Sequence, residues 1–378
     1  MPADALWIPA DYADSRARVR AALERLQARW PSAARHETPL PDHPDLTIDW
    51  LEAPARERTE RLLMVTTGLH GIEGFVGAGV IDHLLGAFTE RLDPATTDLL
   101  IVHAINPWGM AHRRRGNQAN VDLNRNFILD GRGFDPAFNP DYARLDRLLN
   151  PRRPAGPPGR EQARFALRLL GGVLRVGPAR LRAASLLGQY ARPDGIYYGG
   201  AAHQPETEAL LDLFRHALRR AGHVLLIDVH TGYGPRQALT LVNSPLELRS
   251  PAACAAAFGH APVVAAAPRG LFSMRGDMVD AFYSLARRQA RGHRVYGVTF
   301  EYGTLGDSTL DGARSLFTLV YANQVHQHGA THPAAENAAA AGLVALFVPA
   351  DPVWRSAARA GAQRALEGIL GAEGFLAR

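Results

Sequence analysis

Residues 62–74 read LLMVTTGLHGIEG. Leu62 to Thr67 is apolar or β-branched without alternation, the pattern of a strand buried on both faces, and Gly68 ends it. From Glu73 to Phe88 the spacing turns helical, with Val76, Val80, Leu84 and Phe88 on one stripe. The strand pattern returns at Leu99–Ala104 (LLIVHA), Val224–His230 (VLLIDVH) and Val295–Glu301 (VYGVTFE), closed by Asn106-Pro107, Thr231-Gly232 and Gly303. Near-continuous apolar strands alternating with helices predict a layered α/β domain with a largely buried sheet.

The rest of the chain fits one domain over 1–378. Residues 16–30 (RARVRAALERLQARW) have helical spacing and a charged outer face. A long insertion lies between the second and third apolar strands, at about 131–190. In it GRGFDPAFNPDY reads as an ordered loop, PRRPAGPPGR as a flexible or extended link, and Glu161 to Val176 as a helix. An insertion of this size predicts a lid, a specificity wall or an oligomer contact, so a homo-oligomer is one expectation. The Ala-rich C-terminal segments, Ala334–Leu346 and Trp354–Leu370 within 334–378, read as helices outside the sheet.

Composition narrows the chemistry. All 42 basic residues are Arg, because the sequence has no Lys. This excludes Schiff-base catalysis on a lysine, the P-loop phosphate lysine and the kinase strand lysine. The single Cys254 excludes an intramolecular disulfide, a CxxC redox pair and a Cys-based zinc knuckle. The formal charge is +5, and the densest basic run is only Arg113-Arg114-Arg115. No nucleic-acid partner is expected from so scattered a basic set. The N-terminus carries acids and prolines where a signal peptide has a basic start and an apolar run. No unbroken apolar stretch of about 20 residues is present, so the expectation is a cytoplasmic chain without a membrane partner.

Polar residues gather where the strands end. TGLHGIEG places His70 and Glu73 three apart, and the second strand leads into NPWGMAHRRRGNQANVDLNRNF. The third ends at His230 and the fourth at Glu301. In open α/β sheets ligands bind outside the carboxyl ends of strands, so one site could draw on all of them. Singly each has a plain reading: His70 as a loop residue bonded to backbone, His230 as a satisfied strand-end histidine. Glu301, at the end of an apolar strand, must be paired, solvated or metal-bound. Asp228, two before His230 on the same strand face, is a partner for that histidine or a buried structural acid. Together they are a coherent set. Two His and a carboxylate leave an open water position on tetrahedral zinc, a further carboxylate can act as general base, and an Arg can stabilise an oxyanion.

The order His70-x-x-Glu73, Asp122-Leu123-Asn124-Arg125-Asn126-Phe127, His230, Glu301 resembles the M14 zinc carboxypeptidase superfamily, and within it the DUF2817 branch. NPWG (106–109), QYARPDGIYYGG (189–200), DVHTGYG (228–234) and TFEYGTLG (299–306) belong to the same resemblance, which spans about 62–310. It implies a three-layer α/β/α fold around a mixed, mostly parallel sheet of about eight strands. It implies one zinc ion per chain held by His70, Glu73 and His230, and Glu301 as the catalytic carboxylate. Asn124 and Arg125 match the pair that holds a substrate carboxylate. Arg115 best fits the oxyanion arginine, with Arg114 next. Carboxypeptidases also carry a mobile capping Tyr; Tyr283 lies in the corresponding stretch, where a packing Tyr is the competing reading. The implied activity is hydrolysis of amide or peptide bonds, carboxypeptidase-type, on a small peptide. An N-acyl amino acid deacylase of aspartoacylase type is the alternative, because DLNR is common to both branches. A non-catalytic binding protein that retains the fold is a third reading.

Overall fold

In the computed structural model, residues 5–266, 274–289 and 292–376 are described. Eight strands form one sheet: β1 (Ala34–Leu40), β2 (His43–Ala53), β3 (Arg61–Thr67), β4 (Thr97–His103), β5 (His223–Thr231), β6 (Leu239–Asn243), β7 (Val263–Ala265) and β8 (Arg294–Tyr302). Their order is β1-β2-β4-β3-β5-β8-β6-β7. The four apolar runs of the sequence are the parallel centre, β4-β3-β5-β8. The four strands not anticipated lie on either side of it. β1-β2 is an antiparallel pair joined to β4, and β6 runs antiparallel to β8 and carries β7. β1 (ARHETPL) is largely exposed and β7 is only three residues long, so neither shows a continuous apolar run.

The central strands are buried on both faces because alternate side chains feed two cores. Leu63, Val65, Leu225, Ile227, Val298 and Phe300 meet the helix Gly74–Ala87 and the C-terminal helices. Leu62, Met64, Val224 and Leu226 meet the helices Pro205–Arg220 and Met278–Arg288. The result is the three-layer arrangement.

In the 131–190 insertion the loop reading holds to Asn139, the link is non-helical over 151–157, and the expected helix follows it; the short helices from Pro140 to Leu149 are the addition. Asn139 caps the helix Pro140–Arg144, with Pro140 at its first position, a start signal that the loop reading overlooked. PRRPAGPPGR is anchored: Ala155 is buried and exchanges backbone bonds with Gly329 and Thr331, and Arg153 pairs with Glu161. The helices Pro158–Val176 and Pro178–Leu186 follow. At the C-terminus, Pro333–Ala372 has the length and mean hydropathy (1.3) of a membrane span. It is nevertheless two helices, Pro333–Phe347 and Pro352–Ala372, and Leu343, Phe347, Trp354, Leu366 and Ile369 are buried in the core.

Candidate metal centre

β4 follows β3 on one side and β5 lies on its other side, so the strand order reverses at β3. Loops diverge at the carboxyl end of such a seam and leave a crevice. His70 and Glu73 come from the turn after β3. Gly68 takes φ +69°, and at Gly71 a Cβ would stand 2.1 Å from the Gly109 carbonyl carbon. The HGIE turn can therefore press against the short helix Pro107–Ala111, which is started by Asn106, whose side chain accepts from Gly109 N–H at 2.7 Å. His230 is near the end of β5, in register with Glu301 on β8.

The structure brings His70, Glu73 and His230 together, all three buried, with one potential ligand atom from each within 4.8 Å of the others. His70 Nδ1 lies 3.1 Å from His230 Nδ1 and 2.9 Å from Glu73 Oε1, and His230 Nδ1 lies 3.0 Å from Glu73 Oε2. Ligands on a tetrahedral ion at about 2.0–2.1 Å stand about 3.4 Å apart, so a small expansion of this triangle admits one. The far nitrogens are also held. His70 Nε2 is 3.1 Å from Asp122 Oδ1, and His230 Nε2 is 2.5 Å from Asp228 Oδ2, which Thr66 Oγ1 steadies from the other oxygen at 2.6 Å. A carboxylate behind each imidazole favours the tautomer whose Nδ1 lone pair faces inward. Two lone pairs and a carboxylate then converge on one point, which is stable only around a cation.

The charges agree with a divalent ion. Glu73, Asp122 and Asp228 bring three carboxylates, and Arg115 the one guanidinium in contact with them among the described residues, through Nη1 to Glu73 Oε1 (2.8 Å) and Nε to Asp122 Oδ2 (3.3 Å). With neutral imidazoles this leaves two negative charges to balance. Without a metal, protons take up part of the deficit. Burial opposes the His230 imidazolium, but Asp228 and Glu73 outweigh it and raise its pKa well above the ordinary value. Glu73 is held low against burial by His70, His230 and Arg115. Arg115 Nη2 also sits 2.7 Å from His70 Nε2, competing there with Asp122. When His70 donates to Asp122 that contact is lost, which frees Nη2 while Nη1 and Nε stay on Glu73 and Asp122.

Glu301 is the outlying carboxylate. It is half-buried, with Oε1 accepting the Tyr233 N–H at 3.0 Å. Burial and then the like charge of Glu73 raise its pKa to about 7.

The remaining candidates are placed unequally. Asn124 does not offer its amide to the cleft, as the sequence reading expected: Nδ2 donates to Asp277 and Oδ1 accepts from Met278 N–H, at the start of the helix Met278–Arg288. Arg125 is buried, and its two terminal nitrogens donate to the Asn124 and Leu186 carbonyls, tying it to the insertion; Nε has no partner. Arg114 donates to Ala322 O at 3.3 Å and has no carboxylate partner among the described residues. Burial lowers its pKa to about 10. It lines, with Arg115, Asp122 and Tyr197, a cavity of about 50 Å³, space for a few waters or a carboxylate group. Tyr283 does not belong to the site. It is buried in the core against β8, its hydroxyl donating to Glu247 (2.6 Å) and accepting from Gly297 N–H (3.0 Å), so the packing reading holds in place of a substrate cap.

Two tyrosines escaped the sequence reading. Tyr197 holds an unfavourable φ of +54°, and the Arg115 and Arg125 guanidinium carbons lie 5.5 and 5.7 Å from its ring centroid. Its hydroxyl meets that of Tyr233 at 2.7 Å. Both lie inside motifs already noted, but only the fold brings Tyr197, just past the insertion, beside Arg115 and against Tyr233.

A sequence profile of DUF2817, described as a protein family of unknown function, matches residues 9–360. The chain belongs to the DUF2817 family. No curated protein matches it. Among solved structures, thrombin-activatable fibrinolysis inhibitor is similar at 14% identity and TM-score 0.48, over 90% of this DUF2817 chain and 74% of its own. Carboxypeptidase A from Helicoverpa armigera is similar at 14% identity and TM-score 0.45, over 88% and 74%. A protein described as of the succinylglutamate desuccinylase / aspartoacylase family, from Shewanella amazonensis SB2B, is similar at 20% identity and TM-score 0.38, over 78% and 72%.

Proposed function

We propose that this DUF2817 protein is a zinc-dependent hydrolase of amide bonds, acting on a small peptide or an N-acyl amino acid. The observation that carries the reading is the meeting of His70 Nδ1, His230 Nδ1 and Glu73, with Glu301 paired beside His230 on the neighbouring strand. His70, His230 and Glu73 would hold the ion. Zinc, when bound, supplies Lewis acidity and brings the pKa of a water toward about 7.

The protein's own groups do the rest. The Tyr233 N–H fixes Glu301 Oε1, leaving Oε2 to take a proton from the attacking water and return it to the departing amine nitrogen. Arg115 is placed to stabilise the oxyanion on the attacked carbonyl carbon. Arg114, half-buried and without a carboxylate partner among the described residues, is a seat for a substrate carboxylate. That assigns to Arg114 the task that the sequence reading gave to Asn124 and Arg125.

Elemental analysis of the purified chain should find one zinc per chain and none in His70→Ala. The zinc-loaded protein should hydrolyse either a blocked dipeptide or an N-acetyl or N-succinyl amino acid, and the faster of the two separates peptidase from deacylase. A folded chain that takes up no divalent ion, or a loaded one inert toward all three substrates, would overturn the proposal.

A further inference from the structure

The insertion carries an unusual share of the protein's charge. Between residues 141 and 190 there are 10 arginines and three carboxylates, a net +7 in a chain whose total is +5. The three carboxylates are already paired: Asp141 with Arg144 and Arg180, Asp146 with Arg152, and Glu161 with Arg153 and Arg164. Arg147, Arg160, Arg175 and Arg182 are exposed, with no acidic partner among the described residues.

The helix Pro158–Val176 adds an apolar stripe to this field. Phe165, Gly172 and Val176 are its buried face, and Phe165 stacks edge-on to Phe317 at 5.5 Å. Leu167, Leu170 and Leu174, at helical spacing, lie on the opposite face and are 72%, 58% and 80% exposed. They are three of seven large apolar side chains exposed among the described residues. Arg160 and Arg164 flank the stripe. A helix that spends apolar residues on both faces is amphipathic toward something besides its own core.

We infer that this face of the insertion docks onto an anionic membrane surface. The charge decides among occupants. A second copy of the chain would set like fields against each other. A nucleic acid would satisfy the arginines but leave the leucines in water. An anionic bilayer supplies phosphate headgroups for the guanidinium groups and acyl chains for the leucines at the depth where an interfacial helix lies. This reverses the sequence-based expectation of no membrane partner, and it rests on nothing in the metal centre.

The test is flotation of the full-length protein with vesicles of phosphatidylglycerol and phosphatidylcholine at 1:1, against phosphatidylcholine alone, at about 0.1 M salt. Partitioning to the anionic vesicles should be at least about tenfold stronger. Leu167→Ser/Leu170→Ser/Leu174→Ser should reduce it about tenfold or more with the thermal midpoint unchanged, since those side chains are exposed. Arg160→Glu/Arg175→Glu should do the same, and it keeps the test open if the serine variant folds poorly. Equal partitioning to both vesicles overturns the inference. So does binding that the serine variant retains in full, or a wild-type dimer that the serine variant abolishes without any vesicle binding.

Discussion

Asp228 offers a test of the metal centre that needs no substrate. Its carboxylate accepts from Thr66 Oγ1 on one oxygen and faces His230 Nε2 with the other, and the residue is buried. In Asp228→Asn the amide oxygen can still face Nε2–H while its nitrogen meets the Thr66 hydroxyl, which can accept as well as donate. The tautomer survives and only the charge is lost, so zinc affinity should fall about tenfold, or about 1.4 kcal/mol. In Asp228→Ala, Nε2–H is left buried without an acceptor, and Nδ1 is no longer fixed as the inward lone pair. The fall should then approach about 100-fold, or about 2.7 kcal/mol. Competition against a chromophoric chelator reads both constants, with circular dichroism to establish that the variants are folded. Two folded variants with wild-type affinity would refute the reasoning, because His230 Nδ1 would then not be the atom that faces the ion.

Other expectations can be checked separately. Glu301→Gln should keep stoichiometric zinc while turnover falls by about 10²–10⁴, measured as kcat with metal content determined on the same sample. Arg114→Ala should raise KM more than it lowers kcat, whereas Tyr283→Phe should leave both unchanged and cost about 1–3 kcal/mol in denaturant unfolding through its lost bonds to Glu247 and Gly297. His103 is fully buried, and burial, helped by Arg16 and Arg20, lowers its pKa to about 3. Below pH 6.5 the unfolded chain therefore binds a proton there that the folded one refuses, so stability falls as pH drops from 6.5 toward 3. Between pH 7 and 5 this contributes about 2 kcal/mol, and His103→Gln should remove that part of the loss in denaturant titrations at the two pH values.

The sheet's centre was legible because strands buried on both faces leave continuous apolar runs, as in Leu62–Thr67 and Val224–His230. β1 and β2 were not, because this outer hairpin mixes charge into its strands, the exposed Glu37 and the buried Asp49 that pairs with Arg16 and Arg20. The histidines and glutamates of the centre were legible as strand-end residues. Their mutual placement needed the fold, since Glu73 and Thr231 meet across 158 residues. Asn124 and Arg125 show the limit of a motif: it preserves the residues, but their donors answer to whatever packs beside them. The Met278–Arg288 helix takes the Asn124 amide, and Leu186 in the insertion takes an Arg125 nitrogen.

Because the prospective ligands come from opposite halves of the chain, the ion would act as a clasp as well as a reagent. An unfolded chain cannot present His70 and His230 to one point, so occupancy belongs to the native state and adds to its stability by mass action, about 2.7 kcal/mol at a free concentration 100 times the dissociation constant. Chelation would loosen the β3–β5 seam where the two halves of the sheet are joined, and neither half, cut from the other, would retain the ion.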